Sequence, residues 1–354
     1  MPTSVSLASA SSPYVTAYDW DSGFGTKYSD PASLLSSAAS SAYYFSNNIA
    51  FGSLSSPFIA AYSWDNSSGF GSKYSDPQTL PSGLSYGTTF DGSNILITSG
   101  SSPYILSYQW NNGFGTKYSD PQTLPYGSAQ GIKIVGSDVI ISTQSIATFE
   151  AYQWSNGFGT KYSDPSVIAS DVSYYQLVAT NTAVIAPLLN SPRVTAYQWT
   201  GGVGFGSKYS DPSSSPIGMN AYSITKTPGA VIIGGNGSPY IYAYDWSDIN
   251  GFGTQYSDPQ TLPAAFIRGL KFNEETSDVI AACFSSSPYV SAYPWSDVSG
   301  FGTKYSDPST PPLSGSRGVD TLTTASPNPG SSTPLKIGPR SRISSTNFPF
   351  SLIN

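Results

Sequence analysis

Histidine is absent from this 354-residue chain, and cysteine occurs once. Without histidine there is no Ser-His-Asp or Cys-His relay, no imidazole base and no His-ligated zinc. A lone Cys283 forms neither an intrachain disulfide nor a Cys-cluster metal site. It lies in the apolar run Val279 to Phe284, where a small buried hydrophobe with an inert thiol is expected. Charge is scarce too, at 10% of residues, and glutamate stands only at Glu150, Glu274 and Glu275. The formal net charge of −6 argues against nucleic acid as a partner, because phosphate contacts need a basic face. No run approaches the roughly 18 apolar residues of a membrane span. The stretch Met1 to Leu7 shows neither the basic leader nor the apolar segment of a secretory signal.

What the chain has in abundance is glycine (34), proline (28) and tyrosine (26), with seven tryptophans. The tryptophans, Trp20, Trp64, Trp110, Trp154, Trp199, Trp246 and Trp295, occupy one position of one repeated unit. The unit reads Tyr14-Val15-Thr16-Ala17-Tyr18-Asp19-Trp20, a turn, then Gly23-Phe24-Gly25-Thr26-Lys27-Tyr28-Ser29-Asp30-Pro31. Successive tryptophans are 44, 46, 44, 45, 47 and 49 residues apart, a period that belongs to solenoids, propellers and arrays. Repeats of this kind form one body, because no unit buries a core by itself.

Each repeat resolves into four short extended segments, here named a to d. In the third repeat these are Leu84–Phe90, Ser93–Ser99, Tyr104–Trp110 and Gly113–Pro121, with Asp91-Gly92 as a hairpin turn between the first two. Segment c alternates large residues (Tyr14, Thr16, Tyr18, Trp20) with small aliphatic ones (Val15, Ala17), so both of its faces are expected to be buried between neighbouring sheets. Segment d reads as an outer edge. It carries Lys27, Lys73, Lys117, Lys161, Lys208 and Lys304, with Gln255 in the sixth copy, and edge lysines discourage aggregation. It closes on a Ser-Asp-Pro turn whose aspartates, Asp30, Asp76, Asp120, Asp164, Asp211, Asp258 and Asp307, are expected to cap backbone N–H groups. The expected fold is therefore all-β: a seven-bladed β-propeller of four-stranded antiparallel blades. The first repeat lacks a segment a, and the C-terminal stretch Gly318–Thr324 is a spare one, so the two termini are expected to complete blade one together. Residues 1–324 then form the propeller. Residues 325–354, rich in proline and serine, form an extended C-terminal arm carrying Lys336, Arg340 and Arg342 and ending in the apolar Phe348, Phe350, Leu352 and Ile353.

Catalytic and metal chemistry find little to work with. Asp19-Trp20-Asp21-Ser22-Gly23 has the look of a calcium loop, but the other repeats put Ser63, Gln109, Gln153, Gln198, Asp245 and Pro294 at its first position, and calcium requires about six or more oxygens. The Gly-Phe-Gly steps lack the helix that a dinucleotide fingerprint needs. Seven Ser-Asp-Pro carboxylates on one surface are raw material for paired-carboxylate hydrolysis, yet a residue repeated in every blade is placed by blade construction. The tryptophans are expected in the core. Glu150 departs from the pattern of segment c and is expected near a blade edge. No catalytic residue, cofactor or metal is expected.

The unit Ser-Pro-Tyr-Val-x-Ala-Tyr-x-Trp followed by Gly-Phe-Gly-Thr-Lys-Tyr-Ser-Asp-Pro resembles the WD40-like repeats of tailed-bacteriophage virion proteins and of some bacterial surface proteins. It lacks the Gly-His pair of eukaryotic WD40 repeats, and its Trp is followed by Asp, Ser, Asn or Thr. The resemblance covers residues 1–324 and implies a non-enzymatic scaffold. The expectation is a virion structural protein, a capsid decoration or tail-associated propeller, made in the host cytoplasm without a signal peptide. Its arm would bind other virion proteins, and a ring face would meet host-surface glycans. The alternative is a bacterial surface or secreted carbohydrate-binding propeller.

Overall fold

In the computed structural model of the chain, which describes residues 3–144, 149–169, 176–216 and 218–322, 28 strands build seven four-stranded antiparallel sheets arranged as the blades of a ring. Each sheet runs a to d from the axis outward. In blade three the strands are Ser85–Phe90, Asn94–Ser99, Ile105–Trp110 and Phe114–Lys117. The outer strand is shorter than its sequence segment, because the Ser-Asp-Pro turn leaves the sheet directly after the lysine. Strand b is apolar and buried along its length, as in Ile95-Leu96-Ile97 and Val139-Ile140-Ile141. It has a hydrogen-bonded neighbour on either side and another blade against either face, so no position on it meets water.

Blade one is assembled from both ends of the chain. Its strand a, Ser316–Leu322, pairs antiparallel with strand b, Thr3–Ser9, in the register Val5↔Thr321 and Leu7↔Val319. The latch expected from the sequence is therefore present. Residues 325–354, including Lys336, Arg340, Arg342, Phe348, Phe350, Leu352 and Ile353, lie outside the described residues.

The apolar core is not central. It consists of seven clusters, one at each junction between neighbouring blades. Small residues of one sheet receive large ones of the next, as where Ala61 and Ile59 of blade two share a cluster with Tyr108 and Leu106 of blade three, and so the junctions reach interior density.

An aromatic brace repeats at every junction. Each tryptophan stands edge-on to the Phe of its own Gly-Phe-Gly step and to the outer-strand Tyr of the preceding blade. For Trp64 these are Phe70 at 5.0 Å and Tyr28 at 5.1 Å between ring centroids. The series closes the circle with Tyr305 on Trp20 at 5.6 Å. Such edge contacts add about 0.5–1.5 kcal/mol each beyond burial. The first glycine of the step makes room for the brace. Gly69 has φ +83°, and a Cβ there would meet Tyr28 Cδ1 at 2.8 Å.

Candidate functional site

The seven innermost strands surround a channel, and their register brings one residue per blade to the same level of it. Asp320, Tyr43, Thr89, Lys133, Val178, Thr225 and Lys271 sit opposite equivalent strand-b residues: Ser6, Ala50, Leu96, Ile140, Ile185, Ile232 and Ile280. This is where the blades differ most. Two residues earlier the strands carry Gly318, Ser41, Gly87, Gly131, Ser223 and Gly269. Small residues are required there because the next blade's backbone passes close by. A Cβ on Gly87 would meet Gln130 O at 2.6 Å, and one on Gly318 would meet Ser41 Cα at 2.9 Å.

Blade five breaks that column. Counting back from the Val178↔Ile185 pair, the equivalent residue is Gln176, and its amide reaches into the lumen. Gln176 Oε1 accepts hydrogen bonds from Leu270 N at 3.0 Å and Ile224 N at 3.3 Å, while Nε2 donates to Leu270 O at 3.2 Å. The side chain thus satisfies backbone groups on the inner edges of blades six and seven that no strand covers. It lies between a cavity of about 470 Å³ and a smaller one of about 30 Å³, and lines both.

The larger cavity is charged. Lys271 Nζ pairs with Asp320 Oδ1 at 2.8 Å, and Asp320 Oδ2 accepts Tyr44 N at 2.7 Å. Burial alone would lower the pKa of Lys271, but the Asp320 charge and hydrogen bond outweigh it and the net shift is upward. Lys133 behaves differently. Burial and then the neighbouring Lys271 ammonium depress it to about 8, against a weaker pull from Asp320. Lys226, near the mouth, donates to Thr227 O at 3.0 Å and Pro228 O at 3.4 Å. Glu274 also lines the cavity. Such an arrangement can bind and neutralise charge. Cys283, the chain's one thiol, is remote from it in chemistry as well as place: it is fully buried, and burial pushes it up to about 11.

The residues singled out from the sequence lie elsewhere. All seven tryptophans occupy the blade junctions, and Trp154 Nε1 donates across one of them to Asp91 Oδ2 at 2.7 Å. The Ser-Asp-Pro aspartates do not converge; each stays on its own blade's outer edge. Their partners are side chains where backbone N–H groups were expected. Asp30 and Asp76 pair with Lys27 and Lys73 at 2.5 and 2.6 Å, and Asp120, Asp164, Asp211 and Asp307 pair with the lysine three residues earlier. Once an ammonium three residues upstream folds over the turn, it is the stronger donor to the carboxylate.

Glu150 refines a second expectation. It lies beside the outer strand of its blade, but fully buried. Its Oε2 meets Lys161 Nζ at 2.7 Å, its Oε1 accepts Tyr126 N at 3.0 Å, and the ammonium sits 3.8 Å over the Tyr126 ring. Desolvation dominates, raising the Glu150 pKa against the opposing lysine and N–H. Lys161 thereby holds both Glu150 and Asp164, a clasp peculiar to blade four.

In blade six Gln255 leaves Asp258 without the lysine, and burial raises the Asp258 pKa. A raised carboxyl costs stability once pH rises above the unfolded value, about 3.9. Gln255→Lys is therefore expected to stabilise by about 0.2–1 kcal/mol at neutral pH, the range of exposed pairs. The gain should fade as pH drops through the carboxylate range. Urea unfolding at pH 7 and about pH 3 checks this; an equal gain at both would contradict it.

No protein-family model and no curated protein matches the sequence. Solved structures do resemble it. A protein from Lactobacillus plantarum aligns at TM-score 0.73 and 11% identity over 91% of this chain and 100% of its own. A putative 6-phosphogluconolactonase from Bacteroides uniformis aligns at 0.68 and 11% over 91% and 99%. The computationally designed Ika8 protein aligns at 0.59 and 10% over 85% and 83%. At such identities what is shared is the fold, and these likenesses place the chain among β-propellers.

Proposed function

We propose that this chain is a non-enzymatic structural protein of a bacteriophage particle, a ring carried on capsid or tail, tethered through residues 325–354 and presenting one face outward. The observation that carries the scaffold reading is the sameness of the rim: the lysine–aspartate clasp recurs in six blades and the Tyr–Trp brace at all seven junctions. The virion assignment draws on the repeat resemblance and on the low-charge, turn-rich composition.

A specific feature favours the second reading, a carbohydrate-binding ring. On the face where strands b turn into c, Tyr14, Phe58, Tyr104, Tyr240 and Tyr289 follow a Ser-Pro step with φ between 63° and 69°, and all are partly exposed. An aromatic residue fixed in this rarely used region presents a stiff stacking surface. Gradient sedimentation of a producing lysate separates the readings. The full chain is expected to travel with particles, and a chain lacking residues 325–354 to stay at the top, still folded. Full-length protein that remains free of particles and is retained on immobilised polysaccharide would overturn the virion reading in favour of the second.

A further inference from the structure

Three lysines reach the larger chamber of the channel, Lys133, Lys226 and Lys271, against two carboxylates, Asp320 and Glu274. The chamber therefore holds one surplus positive charge inside a protein whose net charge is −6. Two of the lysines are occupied: Lys271 by Asp320, and Lys226 by the Thr227 and Pro228 carbonyls. Lys133 makes no hydrogen bond or ion pair with any described residue, although it stands in a channel wall flanked by Ile132 and Ile134. Removing an ammonium from bulk water without giving it a partner is costly. A lysine kept there through folding is thus set up for a partner that no described residue supplies.

We propose that this chamber binds a small organic anion bearing a single carboxylate, seated on Lys133. The surplus of one charge selects a monoanion over a phosphate dianion. At about 470 Å³ the chamber falls within the range of small-molecule sites, about 300–1,000 Å³. Its walls suit an amphipathic body, since Leu177, Val178 and Phe272 alternate around it with the hydroxyl-bearing Thr88 and Thr225. Gln176 lines the chamber on the side of blades six and seven, to which its amide is tied. The assignment stands apart from the scaffold role, which concerns the outer surfaces.

The probe is benzoate, with the near-isosteric neutral benzamide as control, titrated calorimetrically into the whole protein. Benzoate should bind at least tenfold more tightly than benzamide, the scale of one charge-assisted hydrogen bond. Lys133→Met should reduce benzoate to the benzamide level, while Lys133→Arg keeps the preference. Lys271, Asp320, Lys226, Glu274 and Tyr43 share the chamber, yet Lys133 is the lysine depressed to about 8, so benzoate affinity should also fall as pH rises through that value. The proposal is overturned if benzoate and benzamide bind alike, if neither binds at millimolar concentration, or if the Lys133→Met protein retains the parent's benzoate affinity. Should the methionine variant fail to fold, the arginine variant and the benzamide comparison still decide.

Discussion

A chain ending at Gly315 is expected to lose its cooperative unfolding transition, whereas one ending at Leu322 keeps it. The seven residues between are strand a of blade one. Without them strand b loses its inner partner along Ser4 to Ser9, its backbone edge is laid open to the channel, and Val5 and Leu7, both fully buried, lose Val319 from their cluster. Asp320 goes with them, leaving the Lys271 ammonium and the Tyr44 N–H unpaired. Val319 and Leu322 are themselves buried, and burying each such side chain is worth about 1.5–3 kcal/mol. Four of them approach a typical total stability of about 5–15 kcal/mol, before any ladder hydrogen bond is counted. Near-ultraviolet circular dichroism during urea unfolding reads the outcome. A chain of residues 1–315 with the parent's midpoint and slope would show that blade one does not need its latch.

Trp64→Ala should cost about 3–5 kcal/mol, the scale for truncating a large buried aromatic. Trp64 is only 4% exposed. Its ring touches Phe70, Tyr28 of the preceding blade and Tyr44, and its Nε1 donates to Asn66 Oδ1 at 2.8 Å. Truncation therefore opens a void in the junction between blades one and two and leaves Asn66 Oδ1 with Ser4 Oγ at 3.3 Å as its side-chain donor. The same Asn66 backbone carbonyl holds the Tyr28 hydroxyl at 2.6 Å, so the loss spreads to the outer strand of blade one. A change in unfolding free energy below about 1 kcal/mol, the median of point mutants, would mean that the brace is not what joins the blades.

Much of this architecture is legible because its strongest signals are covalently close. Trp20 and Gly23-Phe24-Gly25 recur as one block, and a block seven times repeated announces blades. The spare Gly318–Thr324 stretch follows from counting strands. Gln176 and Lys133 escaped notice for a physical reason. Residues of the channel become neighbours only through the ring's closure, and their column cannot be aligned until the bulged register of each inner strand is known. Blade five hides it further, since its inner strand is the two-residue Val178–Ala179. A glutamine in a column of glycine and serine was the available signal. The burial of Glu150 is not legible because it depends on Lys161, eleven residues along and on the neighbouring outer strand, bending back to meet it. The aspartate clasps are hidden in the same way: local turn chemistry names the carboxylate's commonest partner, and here an ammonium three residues upstream takes that place.

The joining of first and last strands also fixes a schedule for synthesis. Between completion of the strand ending at Ser9 and emergence of the one beginning at Ser316 the ribosome must add some three hundred residues, roughly 15–60 s at ordinary bacterial and eukaryotic rates. Through that interval blades two to seven can stack on each other, and Val5 and Leu7 can reach Ile280 and Val290 of blade seven, but the cluster lacks Val319 and strand b lacks its inner hydrogen-bonding partner. The nascent ring therefore waits, open at one sheet, for the strand that begins at Ser316.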